Sequence, residues 1–251
     1  MNHIITSDFF QEFPEIVYGT STKGLGPLSF LYSKNNNQVI IDRVNFLDQL
    51  GLHPNHSVLV CEQNHTNNIA IIDHEFISSS LFDQEKQIPN TDGIITNIPG
   101  MNLVIYTADC MPITFYDPIR RVIGIVHSGW KGTIGGIGKK MIHTMIDNYG
   151  SKVGDIRVVV GPSIGPCCYS VKNEEQIELF ESLYHNNQLR FDKVYIDLWD
   201  SLVQDMLATG ILHKHFHNQR LCTSCQNDVF ASHRKDNPNT TVNLTVISLI
   251  Q

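Results

Sequence analysis

The chain has 251 residues, 41% of them apolar and 17% charged, enough to bury a full-sized core as one domain or two small ones. A formal charge of −7 with no run of Lys or Arg gives the phosphate backbone of a nucleic acid little to hold, and every apolar run is too short to cross a bilayer. Neither a nucleic acid nor a membrane is expected as a partner.

Residues 1–10 lack the basic start and apolar stretch of a secretory signal, so a cytoplasmic location is expected. There the six cysteines read as thiols, metal ligands or catalysts, with oxidised pairing of Cys222 and Cys225 as the one exception kept open. Residues 33–37 are polar and predict a loop tip. Short runs rich in β-branched residues predict strands at 57–61 and 68–72, and residues 78–90 read as a longer surface loop ahead of the turn Thr91-Asp92-Gly93. Further strands are predicted at 93–96, 102–107, 113–116, 121–126 and 156–160, and a last one at 241–250. Apolar residues at three- and four-residue spacing predict helices at 135–148, 172–183 and 199–209, with Asp197 and Asp200 as candidate caps of the third. Adjacent strands joined by short turns such as Asp117-Pro118 indicate a mixed sheet with antiparallel sections, and no repeat, heptad array or low-complexity tract is present. The fold class expected is α/β, with mixed β-sheets layered between helices.

Three segments each offer a soft metal ligand at a strand end or beside glycine: Gln63-Asn64-His65, Thr107-Ala108-Asp109-Cys110, and His127-Ser128-Gly129-Trp130-Lys131-Gly132. Zinc accepts such a nitrogen and sulfur set, and with only three protein ligands it keeps a fourth position for water or substrate. Spacing does not by itself bring positions 65, 110 and 127 together. Taken singly, a histidine such as His65 is more often a hydrogen-bonded core or surface residue, and a cysteine such as Cys110 a small buried apolar one. The turn after His127, with Gly129, Gly132, Gly135 and Gly136 leading into a helix, can cradle an anion such as phosphate; a tight strand-to-helix connection uses glycine equally well. Cys167-Cys168 in the irregular run 161–169 reads as buried thiols. The lone CxxC of Cys222 and Cys225 has no second CxxC to complete a structural zinc site, and no thioredoxin-like context for redox work. His213, His215 and His217 alternate in a way that could bind copper, though a solvated loop accounts for them as well.

Together these motifs, with Gly161-Pro162-Ser163-Ile164-Gly165-Pro166-Cys167-Cys168-Tyr169 and Cys222-Thr223, occur in the order seen in the YfiH-like, laccase-domain family, which the chain resembles from about Gly19 onward. That family has been described as multicopper polyphenol oxidases, as peptidoglycan editing factors, and as purine nucleoside phosphorylases with adenosine deaminase activity. The resemblance implies a single YfiH-like sandwich domain over residues 1–251 and a zinc triad of His65, Cys110 and His127, which together with Asp109 also form the catalytic set. It implies adenosine, inosine and S-methyl-5′-thioadenosine as substrates, cleaved by phosphate. On this footing Lys131 and Arg234, with the amides of Gly129 and Gly132, are expected to hold phosphate, and Asp109 to orient a ligand or handle protons. The chain differs from the family pattern in having Lys131 where arginine is usual, Ser232-His233-Arg234-Lys235-Asp236-Asn237 where Ser-Tyr-Arg-Arg-Asp-Gly is usual, and Thr241-Val242 in place of a Gly-Arg pair.

Two other chemistries fit the same residues. Copper-dependent phenol oxidation would use Cu2+ in place of Zn2+, although one His/Cys/His set is small for a multicopper cluster. A Cys-His hydrolase acting on cell-wall precursors would use Cys110 as nucleophile and His127 as base. A non-catalytic binding protein is the remaining class, and protein partners are not legible in the sequence.

Overall fold

The computed structural model of the chain describes residues 3–26, 28–29, 35–53, 57–59, 62–78, 88–237 and 241–250. In chain order the first elements are β1 (Ile4–Ile5), β2 (Ile16–Ser21), α1 (Asn36–Gln49), β3 (Ser57–Leu59), β4 (Ile69–Ile71), α2 (His74–Ser78), β5 (Gly93–Thr96), β6 (Asn102–Thr107), β7 (Met111–Asp117) and β8 (Val122–Ser128). The remainder are α3 (Trp130–Ile134), α4 (Ile137–Tyr149), β9 (Arg157–Val160), β10 (Ser170–Val171), α5 (Glu174–Tyr184), β11 (Asn187–Arg190), β12 (Lys193–Ile196), α6 (Leu198–Ala208), β13 (Phe216–Asn218), α7 (His233–Asp236) and β14 (Asn243–Leu249).

Two large mixed sheets, of order β1-β2-β14-β6-β3 and β13-β9-β7-β8-β5-β4, lie face to face, and β10-β12-β11 form a small third one. Alternation along each strand assigns its side chains to layers. In the first sheet, Leu103 and Ile105 of β6 and Ile247 and Leu249 of β14 point inward to Tyr116, Ile123, Ile125 and Val159 of the second. Their neighbours Val104, Leu244 and Val246 turn outward onto Phe46 and Leu47 of α1. In the second sheet, Ile113 and Phe115 of β7 face Met141 and Met145 of α4 and Leu202 and Met206 of α6. The result is a helix, sheet, sheet, helix sandwich in which β7 and β8 are buried on both faces along their whole length. Gly124 belongs to that packing, because a Cβ there would sit 2.7 Å from the Met141 sulfur. No helix among the described residues is long and apolar enough to cross a membrane.

The mixed α/β class expected from sequence is the one observed, and the strand expectations at 93–96 and 102–107 coincide with β5 and β6. Strand 57–61 is described only as far as Leu59, and most of the surface loop expected at 78–90 lies outside the described residues. The loop tip expected at 33–37 is corrected in its second half. Asn35 accepts a hydrogen bond from the Gln38 N–H at 3.2 Å and so caps α1, which the sequence reading missed. The helix expected at 135–148 is α4, which starts two residues later because Gly136 is left-handed at φ 67°, and the short α3 that precedes it is read from sequence only as a glycine-rich turn. At the other end Gly150, also at φ 67°, closes α4 by donating to the carbonyl of Ile146. Asp197 does cap α6, accepting from the Asp200 N–H at 3.0 Å, whereas Asp200 lies inside the first turn.

Phe115 is fully buried between the second sheet and its helices, so Phe115→Ala should lower stability by about 3–5 kcal/mol. Urea denaturation followed by circular dichroism reads this. A loss under about 1 kcal/mol would mean the sheet–helix layer is not packed as described.

Candidate metal centre

Cys110 directly precedes β7 and His127 is the penultimate residue of β8. Antiparallel register sets Pro112 opposite His127 and Met111 opposite Ser128, which brings both residues to one end of the same strand pair. His65 arrives from the segment between β3 and β4, held in place by Gln63. The Gln63 amide nitrogen donates to the Tyr106 carbonyl at 2.6 Å, and its oxygen accepts from the Tyr106 N–H at 2.9 Å. The side-chain amide thereby pairs with β6 as a strand backbone would, and two residues later the chain turns at His65 with φ 58°. Asp109, next to Cys110, has φ 83°. Both are uncommon conformations for residues other than glycine, and both lie beside the convergence point.

The candidate ligand atoms of His65, Cys110 and His127 all lie within 4.8 Å of one another. Cys110 Sγ is 3.7 Å from His65 Nε2, and the two imidazole centroids are 4.9 Å apart at 74°. Exposure is graded from open at His65 through half-buried Cys110 to buried His127, so the group opens to solvent on the His65 side.

Behind this set stands Asp92, fully buried and read from sequence only as part of a turn. One carboxylate oxygen lies 2.8 Å from His127 Nδ1 and 3.2 Å from the His65 N–H. The other accepts from the Thr66 N–H and hydroxyl, both at 2.7 Å. A buried carboxylate at Nδ1 fixes the ring and leaves Nε2 as the atom able to bind a ligand. Burial would raise the Asp92 carboxyl, but its bonds to His127 and Thr66 hold it below the usual carboxylate range. Burial likewise disfavours charge on Cys110, yet attraction to His127 and hydrogen bonds to His127 and His65 bring the thiol down to about 6. Against its own burial, His127 is lifted to about 9 by the Cys110 charge and by Asp92. Two nitrogens and a thiolate in a shared pocket can hold a metal ion.

The other residues expected at the site are placed as follows. Gly129 lies against the triad, where a Cβ would meet the His65 ring at 2.4 Å and the Cys110 sulfur at 3.0 Å; only glycine fits. Gly132 has no such constraint, as a Cβ there meets nothing closer than 3.5 Å. Lys131 is exposed on α3, its ammonium 5.6 Å from the Trp130 ring centroid. Asp109 turns away from the triad and accepts from the Thr223 hydroxyl at 2.6 Å and the Arg234 N–H at 2.7 Å. The Arg234 guanidinium donates to the Cys168 carbonyl at 2.9 Å and to Ser170 Oγ at 3.2 Å, beside the Tyr169 ring. The alternating histidines do not converge: His215 Nδ1 lies 3.0 Å from an Arg157 nitrogen, and His217 stacks on Phe9 with centroids 5.5 Å apart. Among the described residues a second group able to hold a metal consists of Cys167, Cys168, Cys222 and Cys225.

A lowered thiol ionises as pH rises through about 6, well below the ordinary cysteine value. In chelator-treated protein the alkylation rate of Cys110, followed by peptide mass mapping, should therefore rise with a midpoint near 6. Asp92→Asn should move that midpoint upward by weakening the imidazolium partner; a midpoint near the free-cysteine value in the parent chain would contradict the pairing.

A family model described as multi-copper polyphenol oxidoreductase laccase matches residues 25–250. The chain is 37% identical over 171 residues to purine nucleoside phosphorylase LACC1 of Mus musculus, covering 66% of this chain but 40% of that protein. It is 33% identical over 181 residues to purine nucleoside phosphorylase YlmD of Geobacillus stearothermophilus, covering 70% of this chain and 66% of that one. With adenosine deaminase RL5, from an unknown prokaryotic organism, it shares 28% identity over 204 residues, 79% of this chain and 77% of the relative. The crystal structure of Bacillus licheniformis YfiH superposes with a TM-score of 0.87 at 29% identity, covering 99% of this chain and 100% of the other. Sequence match over nearly the whole length and a common sandwich agree that the chain belongs to the multi-copper polyphenol oxidoreductase laccase family, the family of YfiH.

Proposed function

We propose that the chain is a zinc-dependent purine nucleoside phosphorylase that cleaves adenosine, inosine and S-methyl-5′-thioadenosine with phosphate and also deaminates adenosine. The observation that carries this reading is the convergence of His65, Cys110 and His127, with Asp92 fixing His127 from behind. Relatives named purine nucleoside phosphorylase and adenosine deaminase support the reaction class. The donor set fits the ion: two imidazoles and a cysteine already drawn toward its thiolate suit zinc with a position left open. When bound, zinc supplies Lewis-acid charge at a position accessible to water or substrate.

The chain's own groups bind and orient. Phosphorolysis requires an anion held against the anomeric carbon while positive charge develops on the sugar and the purine departs, so positioning and electrostatics supply most of the rate. Lys131 and Arg234, with the amides of Gly129 and Gly132, hold that phosphate. Arg234 comes pre-positioned, its backbone tied to Asp109 and its guanidinium to the 168–170 loop. Asp109, with each carboxylate oxygen engaged, acts as a positioning residue. Lysine at 131 offers a point charge in place of a bidentate guanidinium. The partners are small molecules, nucleoside and phosphate, and the compartment we propose is the cytoplasm.

Incubation with each nucleoside, with and without phosphate, tests the reading. Free base and sugar 1-phosphate should form only with phosphate, inosine should form from adenosine without it, and Cys110→Ala and His127→Ala should abolish both. Asp92→Asn should lower activity by roughly 10–100-fold. Activity retained by either triad variant would remove the mechanism, and a blue protein carrying several coppers per chain would replace zinc with the phenol-oxidase reading. Arg234→Gln should raise KM for phosphate while leaving deamination unchanged; equal loss of both reactions would remove Arg234 from phosphate binding.

One observation favours a second reading. Asp92, His127 and Cys110 stand in the order of orienting acid, base and nucleophile, with the thiol lowered, as a Cys-His hydrolase would require. Inactivation by a thiol alkylating agent with zinc present, and insensitivity to chelation, would favour the hydrolase.

A further inference from the structure

Among the described residues, four cysteines lie away from the triad, in two pairs far apart along the chain. Cys167 and Cys168 follow Gly165-Pro166, and Cys222 and Cys225 lie in the turn after β13. The fold joins them. Residues 163 and 222 form a parallel bridge, in which the Ser163 N–H donates to the Leu221 carbonyl at 3.0 Å and the Thr223 N–H to the Ser163 carbonyl at 3.1 Å. Trp199 fixes the same loop by donating to Ser163 Oγ at 2.8 Å, with its ring against Gly165, where a Cβ would be 2.7 Å from it.

All four sulfurs lie within 4.8 Å of one another, and Cys225 Sγ is 3.4 Å from the sulfurs of both Cys167 and Cys168. Four thiolates about 2.3 Å from a central zinc occupy tetrahedron corners about 3.8 Å apart, the scale seen here. The separations are far beyond a sulfur–sulfur bond of about 2.05 Å, and these cysteines are free. They are also too close to frame a cluster of several irons. The Gly165 N–H donates to Cys222 Sγ at 3.2 Å, the kind of outer hydrogen bond that supports a ligating sulfur. We infer that Cys167, Cys168, Cys222 and Cys225 form a second, structural site for one soft divalent cation of the zinc class, separate from the His65, Cys110 and His127 set.

Closed tetrahedral sites of four cysteines leave no position for substrate, so this one stabilises and aligns. It clasps the 163–170 loop to the 222–225 turn. That turn contains Thr223, whose hydroxyl holds Asp109, and the loop supplies the Cys168 carbonyl that holds Arg234. Binding releases thiol protons and involves no oxidation or reduction.

The test is metal stoichiometry on the whole chain, purified under reducing conditions, loaded with zinc alone and freed of excess. Two zinc ions per chain are expected, falling to one in Cys110→Ala and to one in Cys225→Ser; Cys225 is exposed, so serine there disturbs no core. Loading with cobalt alone should give strong thiolate-to-cobalt charge-transfer absorption that Cys110→Ala largely keeps and that Cys225→Ser reduces to the weaker contribution of the single Cys110 thiolate, with circular dichroism reporting the fold of each. One zinc per chain that Cys110→Ala loses and Cys225→Ser keeps would overturn the second site, as would a disulfide among the four in the reduced preparation. One zinc with the opposite pattern would support it and instead count against metal at the triad.

Discussion

Asp92 is the group on which the site depends. A carboxylate withdrawn from water is tolerable only where every lone pair is met, and here the acceptors face His127, the His65 N–H and both donors of Thr66. These partners come from two separate stretches of chain. One carboxylate therefore closes the 65–66 turn, sets the ring of His127 and holds that ring beside the thiol of Cys110. Gly93 lets the carboxylate reach this place, because a Cβ there would lie 2.8 Å from Val126 and 3.0 Å from Ile69; only a bare backbone lets β5 lie so close against β4 and β8.

Local chemistry and register share the remaining work unequally. Gln63 imitates backbone to anchor a loop, while His65 and Asp109 hold left-handed conformations on either side of the convergence point. Such strain persists where the surroundings over-determine it. The surroundings do so here, with Asp109 bonded through its carbonyl to the Ile164 N–H and through its carboxylate to Thr223 and Arg234. Gly129 fills the last of the space, leaving no room for a side chain between α3 and the triad.

Much of this was legible in the sequence, and what was not shares a physical cause. Strands β5, β6, β7 and β8 are β-branched and apolar, so their pattern announces them. The ligand-type residues were visible because His65, Cys110 and His127 sit at strand ends or beside glycine. Asp92 was hidden because aspartate before glycine ordinarily marks an exposed turn; its burial follows from which strands pair, which no local window contains. α1 was hidden by its asparagine-rich start and by Ile40 and Ile41, 44% and 51% exposed, which blur the apolar stripe. The third sheet is built from strands of two to four residues that lie mostly at the surface. The cysteine pairs, separated by more than fifty positions, become one group only through the Ser163 to Cys222 bridge.

Strand order in the first sheet bears on how the chain is assembled. β14 lies between β2 and β6, pairing with both over nearly its full length. Until that strand is inserted, β2 and β6 face each other across a gap, each with a row of unanswered amides and carbonyls. During vectorial synthesis the interior of the sandwich therefore stays unsealed while some 140 residues after β6 emerge from the ribosome. Arg234 and Thr223, which hold Asp109 beside the triad, arrive late as well, so the surroundings of the triad and the hydrophobic interior reach completion in the same closing event.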